Sequence, residues 1–545
     1  MGRTRTRRRN LIAFALLLLA LALGTGLRVY ALGQSPNVQH DEAWSYASAA
    51  GRLAPFHTAM DGGLTGRWVP AAEWQRLWES GSLGDLARVG PDLARYDVHP
   101  PLYFGVLHVW LEVAGMRVGA GRALNLMLSA LTVVALFALA RRLGFARLEA
   151  SLAALVWAVS PAVVSVSSLT RQYDLLALST VLLVWGLARA MSDDAETGDA
   201  PTAAAPWRTW PSVLWVAAAT AAVLLTHYQA VILVFGGVVY VLAGCLVPGL
   251  RVRRRRCWPP LLGLAAGTAV AALLAPGWTD AFGRERTKLV EVSARVFVQK
   301  LDAIAETFGR FIAVPGLALV AAVAVVVVLF LVPGTRRVLV KRVRTARPGW
   351  WTILFFLAVT AGGVCLQNLL FLSMPPLVSA RYLAMAWPFA AFLPLLFFGI
   401  WPRLRTALTT AFCLLLLAPA TLAAPLAADT AARLPIGDLA NADAVLIDNV
   451  GVGILPRFLW DVPADTPVFV STQEGLLAAK EEWRDRDLGA EAYYVSILRE
   501  GGLRWRRNRI LANLRRSADV VLVGGNGLAE IYRISPREAP ADPAP

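Results

Sequence analysis

The sequence predicts a polytopic α-helical membrane protein that carries a small α/β domain at its C-terminal end. Three observations support this fold class. The 545-residue chain is 57% hydrophobic, above the roughly half that soluble domains reach, and its mean hydropathy is +0.54. Apolar runs of about 20 residues, the length that crosses a bilayer, recur between residues 11 and 427. Beyond residue 427, short β-branched runs alternate with polar helical stretches, which indicates a mixed sheet.

The apolar runs predict about eleven spanning helices. Their expected bounds are 11–32, 123–140, 148–168, 171–190, 211–226, 229–248, 258–276, 310–333, 350–373, 383–400 and 406–427. The run 101–117 is shorter and contains His108 and Glu112, and its status decides the topology. If it lies at the interface, all the basic blocks fall on one side of the membrane, as cytoplasmic loops require. We therefore expect a cytoplasmic N-terminus and an external C-terminal domain.

This topology divides the chain into three parts and limits its function. Residues 1–10 form a basic cytoplasmic N-terminus, 11–427 a membrane domain whose first outer loop is 33–122, and 428–545 an outer α/β domain. The formal net charge of +16 comes from short arginine blocks between apolar runs, which argues against nucleic-acid binding. The four cysteines lie in or beside apolar runs and predict no disulfide framework.

Unusual polar residues gather in the outer loops. The acidic pair Asp41 and Glu42 follows the first span, and "YDVHPPLYF" begins at Tyr96 near the end of the same loop. Four further residue groups belong to the same face: "SLTRQYD" at 168–174, "THYQ" at 226–229, the loop 283–300 and "PPLVSARYLAM" at 375–385. Ionisable groups at membrane depth are expensive and by default suggest function. We therefore predict one external cavity into which these loops converge.

Each of these groups also has a purely structural interpretation. The acidic pair can start a solvated interfacial helix, and the two prolines after His99 can simply begin a helix. Arg171 can reach the membrane interface from a helix end. The pairs 227–228 and 381–382 can be interface anchors.

The combination suits sugar transfer from a lipid phosphate. A carboxylate beside a hydrophobic cavity can act as a general base toward an acceptor hydroxyl or amine. Arginine, histidine and tyrosine side chains can hold the phosphate that leaves. Because soluble nucleotide sugars are confined to the cytoplasm, an external transferase needs a lipid-carried sugar.

The order "DEAWSY", "HPPLYF", "TRQYDLL" and "ARYLAMAWP" resembles the protein O-mannosyltransferase-like group of GT-C glycosyltransferases, which includes bacterial aminoarabinose transferases. The resemblance covers roughly residues 11 to 400. It implies a GT-C fold and inverting transfer from a polyprenyl-phosphate sugar at the outer face of a bacterial cytoplasmic membrane. The acceptor would be a lipid, a cell-envelope polysaccharide or a protein.

By this likeness Asp41 is the catalytic base and Glu42 orients the base or the acceptor. The expected donor-phosphate ligands are Arg171, Tyr173, Arg381 and Tyr382, and the expected cavity-lining residues are His99, His227 and Tyr228. Some relatives hold a metal through a glutamate and a histidine, here Glu42 and His227, but the ligand spacing does not predict a metal. The long segment between the acidic pair and His99 looks like an insertion and leaves the acceptor open.

Two other functions remain open at the sequence level. A lipid or sugar transporter is the main alternative, although the spans show no clear internal repeat and the polar residues gather on one face. An envelope-assembly scaffold would use the outer domain as a binding module. Substitution of Asp41 distinguishes a transferase from a scaffold, because only the transferase needs that carboxylate ionised.

Overall fold

The computed structural model describes most of the chain. The described residues are 2–34, 37–79, 82–191, 210–246, 257–275, 277, 294–312, 348–371, 380–399, 404–432, 434–483, 486–498, 503–526 and 529–537. Contacts divide the chain into two compact units, which are described separately. The first comprises Met1–Ala31, Asp97–Tyr103 and Arg122–Ala424, and the second Leu32–Tyr96, Phe104–Gly121 and Pro425–Pro545. Thus most of the first outer loop groups with the C-terminal domain.

The first unit consists of helices. Their bounds are Gly2–Gly33, Val118–Arg142, Arg147–Val159, Pro161–Ser167, Tyr173–Met191, Trp210–Thr226, Val231–Leu246, Trp258–Leu274, Ala294–Ile312, Pro348–Leu357, Gly363–Phe371, Trp387–Ala390, Leu393–Phe398 and Arg405–Ala432. Within the described residues, five helices are long and apolar enough to cross a membrane, or six if one bent pair counts as a span. The chain is a multi-pass membrane protein.

Helices lie at ten of the eleven predicted spans, and the eleventh, 310–333, falls almost wholly outside the described residues. The predicted span 383–400 is divided into two short helices, Trp387–Ala390 and Leu393–Phe398. The expected outer loop 283–300 ends in a helix that begins at Ala294. A disulfide joins Cys245 and Cys257, whose Cα atoms are 6.4 Å apart, so the prediction of four unlinked cysteines was wrong.

Small residues allow two membrane helices to pack closely. Gly263 and Gly267 lie one helical turn apart on the helix Trp258–Leu274. A Cβ atom on Gly267 would overlap the carbonyl oxygen of Ala217, and one on Gly263 would lie 2.7 Å from Val216 Cβ. Such small-residue spacing is typical of helix pairs in lipid, where close backbone approach replaces the hydrophobic driving force.

The third predicted span is bent, and a turn follows it. The helix Arg147–Val159 ends at Ser160, whose backbone is extended, and Pro161 begins the next helix, Pro161–Ser167. The two helices meet at 60°. Proline has no backbone N–H to donate to the preceding helical turn and its ring clashes with that turn, but it fits the first turn of a new helix. The chain then turns through Ser168–Gln172 into the helix Tyr173–Met191.

The second unit is built around a six-stranded sheet with strand order β1-β3-β2-β4-β6-β5. The strands are β1 (Trp68–Pro70), β2 (Ala444–Ile447), β3 (Pro467–Val470), β4 (Ala492–Ile497), β5 (Ala518–Gly525) and β6 (Ala529–Pro536). Strand β2 is parallel to β3 and β4, and the other pairs are antiparallel. The predicted α/β domain is confirmed, and β5 and β6 pair as antiparallel neighbours.

Helices surround this sheet. Their bounds are His40–Ala49, Leu53–Thr58, Ala71–Gln75, Leu86–Tyr96, Leu102–Ala114, Leu455–Leu459, Gln473–Ala478, Lys480–Trp483 and Arg504–Ser517. Strand β1 comes from the first outer loop and pairs with β3, with Trp68 opposite Phe469. The segment that looked like an insertion is therefore an integral part of the sheet. The helix Leu102–Ala114 has 13 residues, about 20 Å at 1.5 Å per residue, less than the roughly 30 Å hydrocarbon core.

A buried carboxylate joins the central strands. Asp448 Oδ2 accepts hydrogen bonds from Gln473 Nε2 at 2.8 Å, the Tyr494 hydroxyl at 2.7 Å and Ser496 Oγ at 2.8 Å. Its Oδ1 accepts one from the Ile497 backbone N–H at 2.7 Å. Burial raises the pKa of Asp448, and the four hydrogen bonds oppose that rise.

Replacing Asp448 with asparagine should destabilise this unit. Whichever way the amide is placed, its NH₂ group faces one of these donors and leaves it unpaired, which costs about 1–3 kcal/mol. We expect a lower melting temperature, followed by tryptophan fluorescence of the purified protein. The control is Asp519→Asn, because Asp519 is exposed and its loss should leave the melting temperature nearly unchanged. An equal melting temperature for both variants would contradict this account.

Candidate active site

A polar cluster in the first unit begins at the turn that precedes the helix Leu102–Ala114. Asp97, Val98 and His99 lie in this turn, and the prolines that follow bring the chain into the helix. The Val98 backbone N–H donates to Asp97 Oδ1 at 2.7 Å. His99 Nδ1 lies 3.0 Å from Asp97 Oδ1 and 3.1 Å from Oδ2. Thus the short turn itself aligns the histidine against the carboxylate.

His99 connects this turn to Arg171. Its Nε2 lies 3.2 Å from Arg171 Nη2, and Arg171 is 6% exposed. A guanidinium can only donate and an ionised carboxylate can only accept, so the contacts assign the tautomer. His99 donates its Nδ1–H to Asp97, and its Nε2 lone pair accepts from Arg171. His99 is therefore a neutral imidazole held between the negative Asp97 carboxylate and the positive Arg171 guanidinium.

The electrostatics of Asp97 agree with this assignment. Burial alone would raise the pKa of Asp97, but the hydrogen bond from His99, the charge of Arg171 and the Val98 N–H oppose that rise, and a proton on His99 Nε2 would add a further positive charge. The pKa falls from the ordinary 3.8 to about 2. Asp97 therefore stays ionised at neutral pH and balances the charge of Arg171.

Asn125 fixes the backbone on both sides of this cluster. Its Nδ2 donates to the carbonyl oxygens of Leu169 and Arg171, the latter at 2.9 Å. Its Oδ1 accepts from the Tyr103 hydroxyl at 3.0 Å. Asn125 and Tyr103 are both fully buried. One amide thus joins the turn that carries Arg171 to the start of the helix that follows His99.

Two further buried charges, Asp174 and Arg28, lie near the turn that presents Arg171. Ser167 Oγ donates to Asp174 Oδ1 at 2.8 Å. Arg28, in the first helix, is 2% exposed and attracts Asp174 electrostatically. Arg28 Nη1 donates to the carbonyl oxygens of Gly24 at 2.8 Å and Ala158 at 2.9 Å. The Ser167–Asp174 hydrogen bond joins the two ends of the turn that presents Arg171.

Aromatic side chains border the same cluster. The ring centroid of His227 lies 6.3 Å from that of His99 and 6.1 Å from that of Tyr173. His227 Nδ1 accepts from the Gln229 backbone N–H at 3.2 Å. Tyr228, half-buried, begins the short 3₁₀ turn Tyr228–Ala230. The structure thus brings together the predicted residues His99, Arg171, Tyr173 and His227.

Arg381 and Tyr382 lie in a separate 3₁₀ turn, Ala380–Leu383. The Arg381 guanidinium lies over the Tyr382 ring, 5.3 Å from its centroid. This turn packs against the helix Pro161–Ser167, which precedes the Arg171 turn. Their predicted role at the donor phosphate stays a prediction.

The acidic pair belongs to the second unit, where its members have different surroundings. Asp41 and Glu42 are in the first turn of the helix His40–Ala49. Glu42 is fully buried, and its Oε2 accepts from the Gln39 backbone N–H at 3.0 Å, which caps the helix. Asp41 is half-buried. Glu42 therefore caps the helix, and the predicted catalytic roles of Asp41 and Glu42 stay predictions.

Among the described residues, no group of three or more histidine, cysteine, aspartate or glutamate side chains could hold a metal ion. The proposed ligands Glu42 and His227 belong to different units.

Sequence reasoning missed Asp97, Asn125 and Arg28. Arg28 had a detectable signal, because an arginine inside an apolar run is rare and suggests function. Asp97 was part of the quoted "YDVHPPLYF" stretch, and the D-x-H spacing could have indicated a carboxylate that orients the histidine. Asn125 gave no signal, since a single asparagine in an apolar run does not reveal its partners.

Comparison with known proteins finds one family similarity in this region. Residues 98–276, which contain His99, Arg171, Tyr173 and His227, match the family described as "Dolichyl-phosphate-mannose-protein mannosyltransferase". This match covers 179 of the 545 residues. No curated protein sequence matches this chain.

Two solved structures of ArnT from Cupriavidus metallidurans share the fold of this chain. The undecaprenyl phosphate-bound form is 13% identical with a TM-score of 0.54, and the match covers 95% of this chain and 98% of ArnT. The apo form is also 13% identical, with a TM-score of 0.51 and coverages of 96% and 98%. At this identity the likeness shows the fold alone.

Proposed function

We propose that this protein is a GT-C glycosyltransferase that moves a sugar, with inversion at the anomeric carbon, from a polyprenyl-phosphate donor to an acceptor. The reaction takes place at the outer face of the cytoplasmic membrane, with the N-terminus in the cytoplasm. The observation that carries the proposal is the buried Arg171, held by His99 and Asn125 in the family-matched segment. The fold shared with an undecaprenyl phosphate-binding ArnT supports a lipid phosphate as the donor group.

The reaction is a displacement at the anomeric carbon of the sugar. The acceptor oxygen or nitrogen forms a bond to that carbon as its proton passes to Asp41. The bond from the anomeric carbon to the phosphate oxygen breaks, and its electron pair leaves with the polyprenyl phosphate. Arg171 stabilises the charge that develops on the departing phosphate. His99 and Asp97 keep the guanidinium oriented, and Tyr173, His227 and Tyr228 line the cavity.

The donor test uses purified protein in sealed proteoliposomes. A panel of polyprenyl-phosphate sugars, each radiolabelled in the sugar, is supplied with a membrane extract of the host as acceptor mixture. The proposal expects label on an acceptor together with free polyprenyl phosphate. Labelled donor that crosses the bilayer with its sugar–phosphate bond intact would instead favour the transporter. No bond cleavage with any donor would contradict the transferase.

Replacing Asp97 with asparagine should lower kcat/KM by about 10- to 100-fold, the usual cost of losing a group that orients a functional histidine. If the amide oxygen stays on the Val98 N–H, the amide NH₂ takes the Oδ2 position, 3.1 Å from His99 Nδ1. There it opposes the Nδ1–H and weakens the contact that holds the imidazole against Arg171. The measurement is initial transfer rate against donor concentration.

The control for Asp97 is Asp302→Asn, because Asp302 is exposed on the helix Ala294–Ile312. Unchanged kcat/KM in Asp97→Asn would remove Asp97 from the mechanism.

The lowered pKa of Asp97 also determines how this carboxylate contributes to stability as the pH changes. Because the native pKa of about 2 lies below the ordinary 3.8, ionised Asp97 stabilises the native state above about pH 4. That contribution is lost as the pH falls toward 2.

A further inference from the structure

The carboxyl end of β2 is the place where an open α/β sheet ordinarily binds a ligand. Strand β2 is parallel to both neighbours, and the chain continues first to β3 on one side and then to β4 on the other. The strand order therefore reverses between β2 and β4. In doubly wound sheets, ligands bind outside the carboxyl ends of the strands at such a switch point.

In this chain the switch point does not present its carboxylate to a ligand. Asp448 directly follows β2, and its two oxygens accept the four hydrogen bonds described above. Asp448 is 4% exposed. Any role of this end of the sheet therefore depends on the other residues of the loop after β2 (Asp448–Ile454, the β2 loop).

The β2 loop packs against the helix that carries Asp41. Gly453 is buried, and a Cβ atom placed on it would overlap the imidazole of His40, only 2.7 Å from Nε2. His40 is the first residue of the helix His40–Ala49 and directly precedes Asp41. The loop that follows β2 is thus in contact with the chain's own His40 side chain.

Further contacts hold the same helix from the same side. The Tyr46 ring lies 5.0 Å from the Trp460 ring, centroid to centroid, and the helix Leu455–Leu459 between the β2 loop and Trp460 packs against His40–Ala49. The Tyr46 hydroxyl donates to the Val118 carbonyl oxygen at 2.6 Å. Rotation or sliding of the helix would break several of these contacts together.

We propose that the α/β domain positions the catalytic base: the β2 loop fixes the helix His40–Ala49 through the Gly453–His40 contact and thereby sets the place of Asp41. This inference rests on the proposed function of Asp41. A general base must lie within hydrogen-bond reach of the proton that it removes, and a shift of about 1 Å can cost about 100-fold in rate. Gly453 is a positioning residue, because it acts through His40.

The variant Gly453→Ala tests this contact. Gly453 does not require a glycine backbone conformation, so alanine acts mainly through its overlap with His40. We expect kcat to fall about 10-fold or more while the donor KM stays unchanged. The matched control is Gly437→Ala in the same unit, because Gly437 has open space around the Cβ position and the variant should keep wild-type kcat.

Two double mutants separate positioning from general damage. Gly453→Ala should cause little further loss in an Asp41→Asn background, because the base is already absent. It should also cause little further loss in a His40→Ala background, because the overlapping ring has been removed. Effects that multiply in both backgrounds, or an unchanged kcat in Gly453→Ala, would overturn the inference.

Hydrogen–deuterium exchange tests the contact without any assay of transfer. Peptides that cover His40–Ala49 should exchange faster in Gly453→Ala than in wild type or Gly437→Ala. Equal exchange in all three proteins would overturn the inference whether or not transfer is observed. If these peptides exchange faster in Gly453→Ala but the wild-type protein transfers no sugar, the contact is supported and only the proposed function is contradicted.

Discussion

Asp41→Asn should reduce the rate of sugar transfer by about 10²- to 10⁴-fold, the range associated with loss of a general acid or base. The amide is nearly isosteric with the carboxylate but cannot take the acceptor proton. Because Glu42 rather than Asp41 accepts the Gln39 N–H that caps the helix, folding should be preserved. The measurement is kcat with saturating donor, together with the melting temperature.

The control for this prediction is Asp465→Asn, an exposed aspartate in the same unit, which should transfer at the wild-type rate. The wild-type rate should also fall on acidification as the Asp41 carboxylate becomes protonated, and this pH dependence should be absent from the residual activity of Asp41→Asn. Equal rates in wild type and Asp41→Asn would remove Asp41 from the mechanism and return weight to the scaffold hypothesis.

Arg171→Lys should lower kcat/KM by about 10²- to 10³-fold, as removal of one donor to a developing oxyanion does. Lysine keeps the charge but loses the planar fork that can contact His99 and a phosphate together. A lysine ammonium that keeps the hydrogen bond to His99 Nε2 cannot present the same pair of N–H groups to the phosphate of the sugar donor. The loss should appear in the chemical step and in donor binding.

The control is Arg147→Lys, an exposed arginine in the same unit. Binding of polyprenyl phosphate without sugar provides a second measurement, because it needs no acceptor and no turnover. We expect weaker binding by Arg171→Lys and unchanged binding by Arg147→Lys. Wild-type binding and rate in Arg171→Lys would contradict a phosphate role for this guanidinium.

Local sequence patterns predicted the parts of this protein that depend on local chemistry. Apolar runs locate the helices because the bilayer imposes one length and one polarity. The β-branched runs near residues 445 and 468 form β2 and β3 as expected. Four of the predicted site residues, at 99, 171, 173 and 227, lie together, and the unusual polar composition of their turns had singled them out.

Features that depend on distant partners were not predictable in this way. Strand β1 has three residues and acquires its conformation by pairing with β3, about 400 positions later. Asp97 gains its role from His99 and Arg171 together, and Asn125 from three groups that it joins. The sequence predicts that Glu42 orients the base or the acceptor, but only the fold shows that its carboxylate caps the helix.

The central claim is that this chain breaks the bond between a sugar and a polyprenyl phosphate, with Asp41 and Arg171 in separate roles. The most direct measurement is a single-turnover assay that counts free polyprenyl phosphate and transferred sugar in wild type, Asp41→Asn and Arg171→Lys. The account predicts equal amounts of both products from wild type, with binding of the donor kept and turnover lost in Asp41→Asn. Sugar transfer at the wild-type rate in both variants, or no cleavage of any polyprenyl-phosphate donor by wild type, would contradict it.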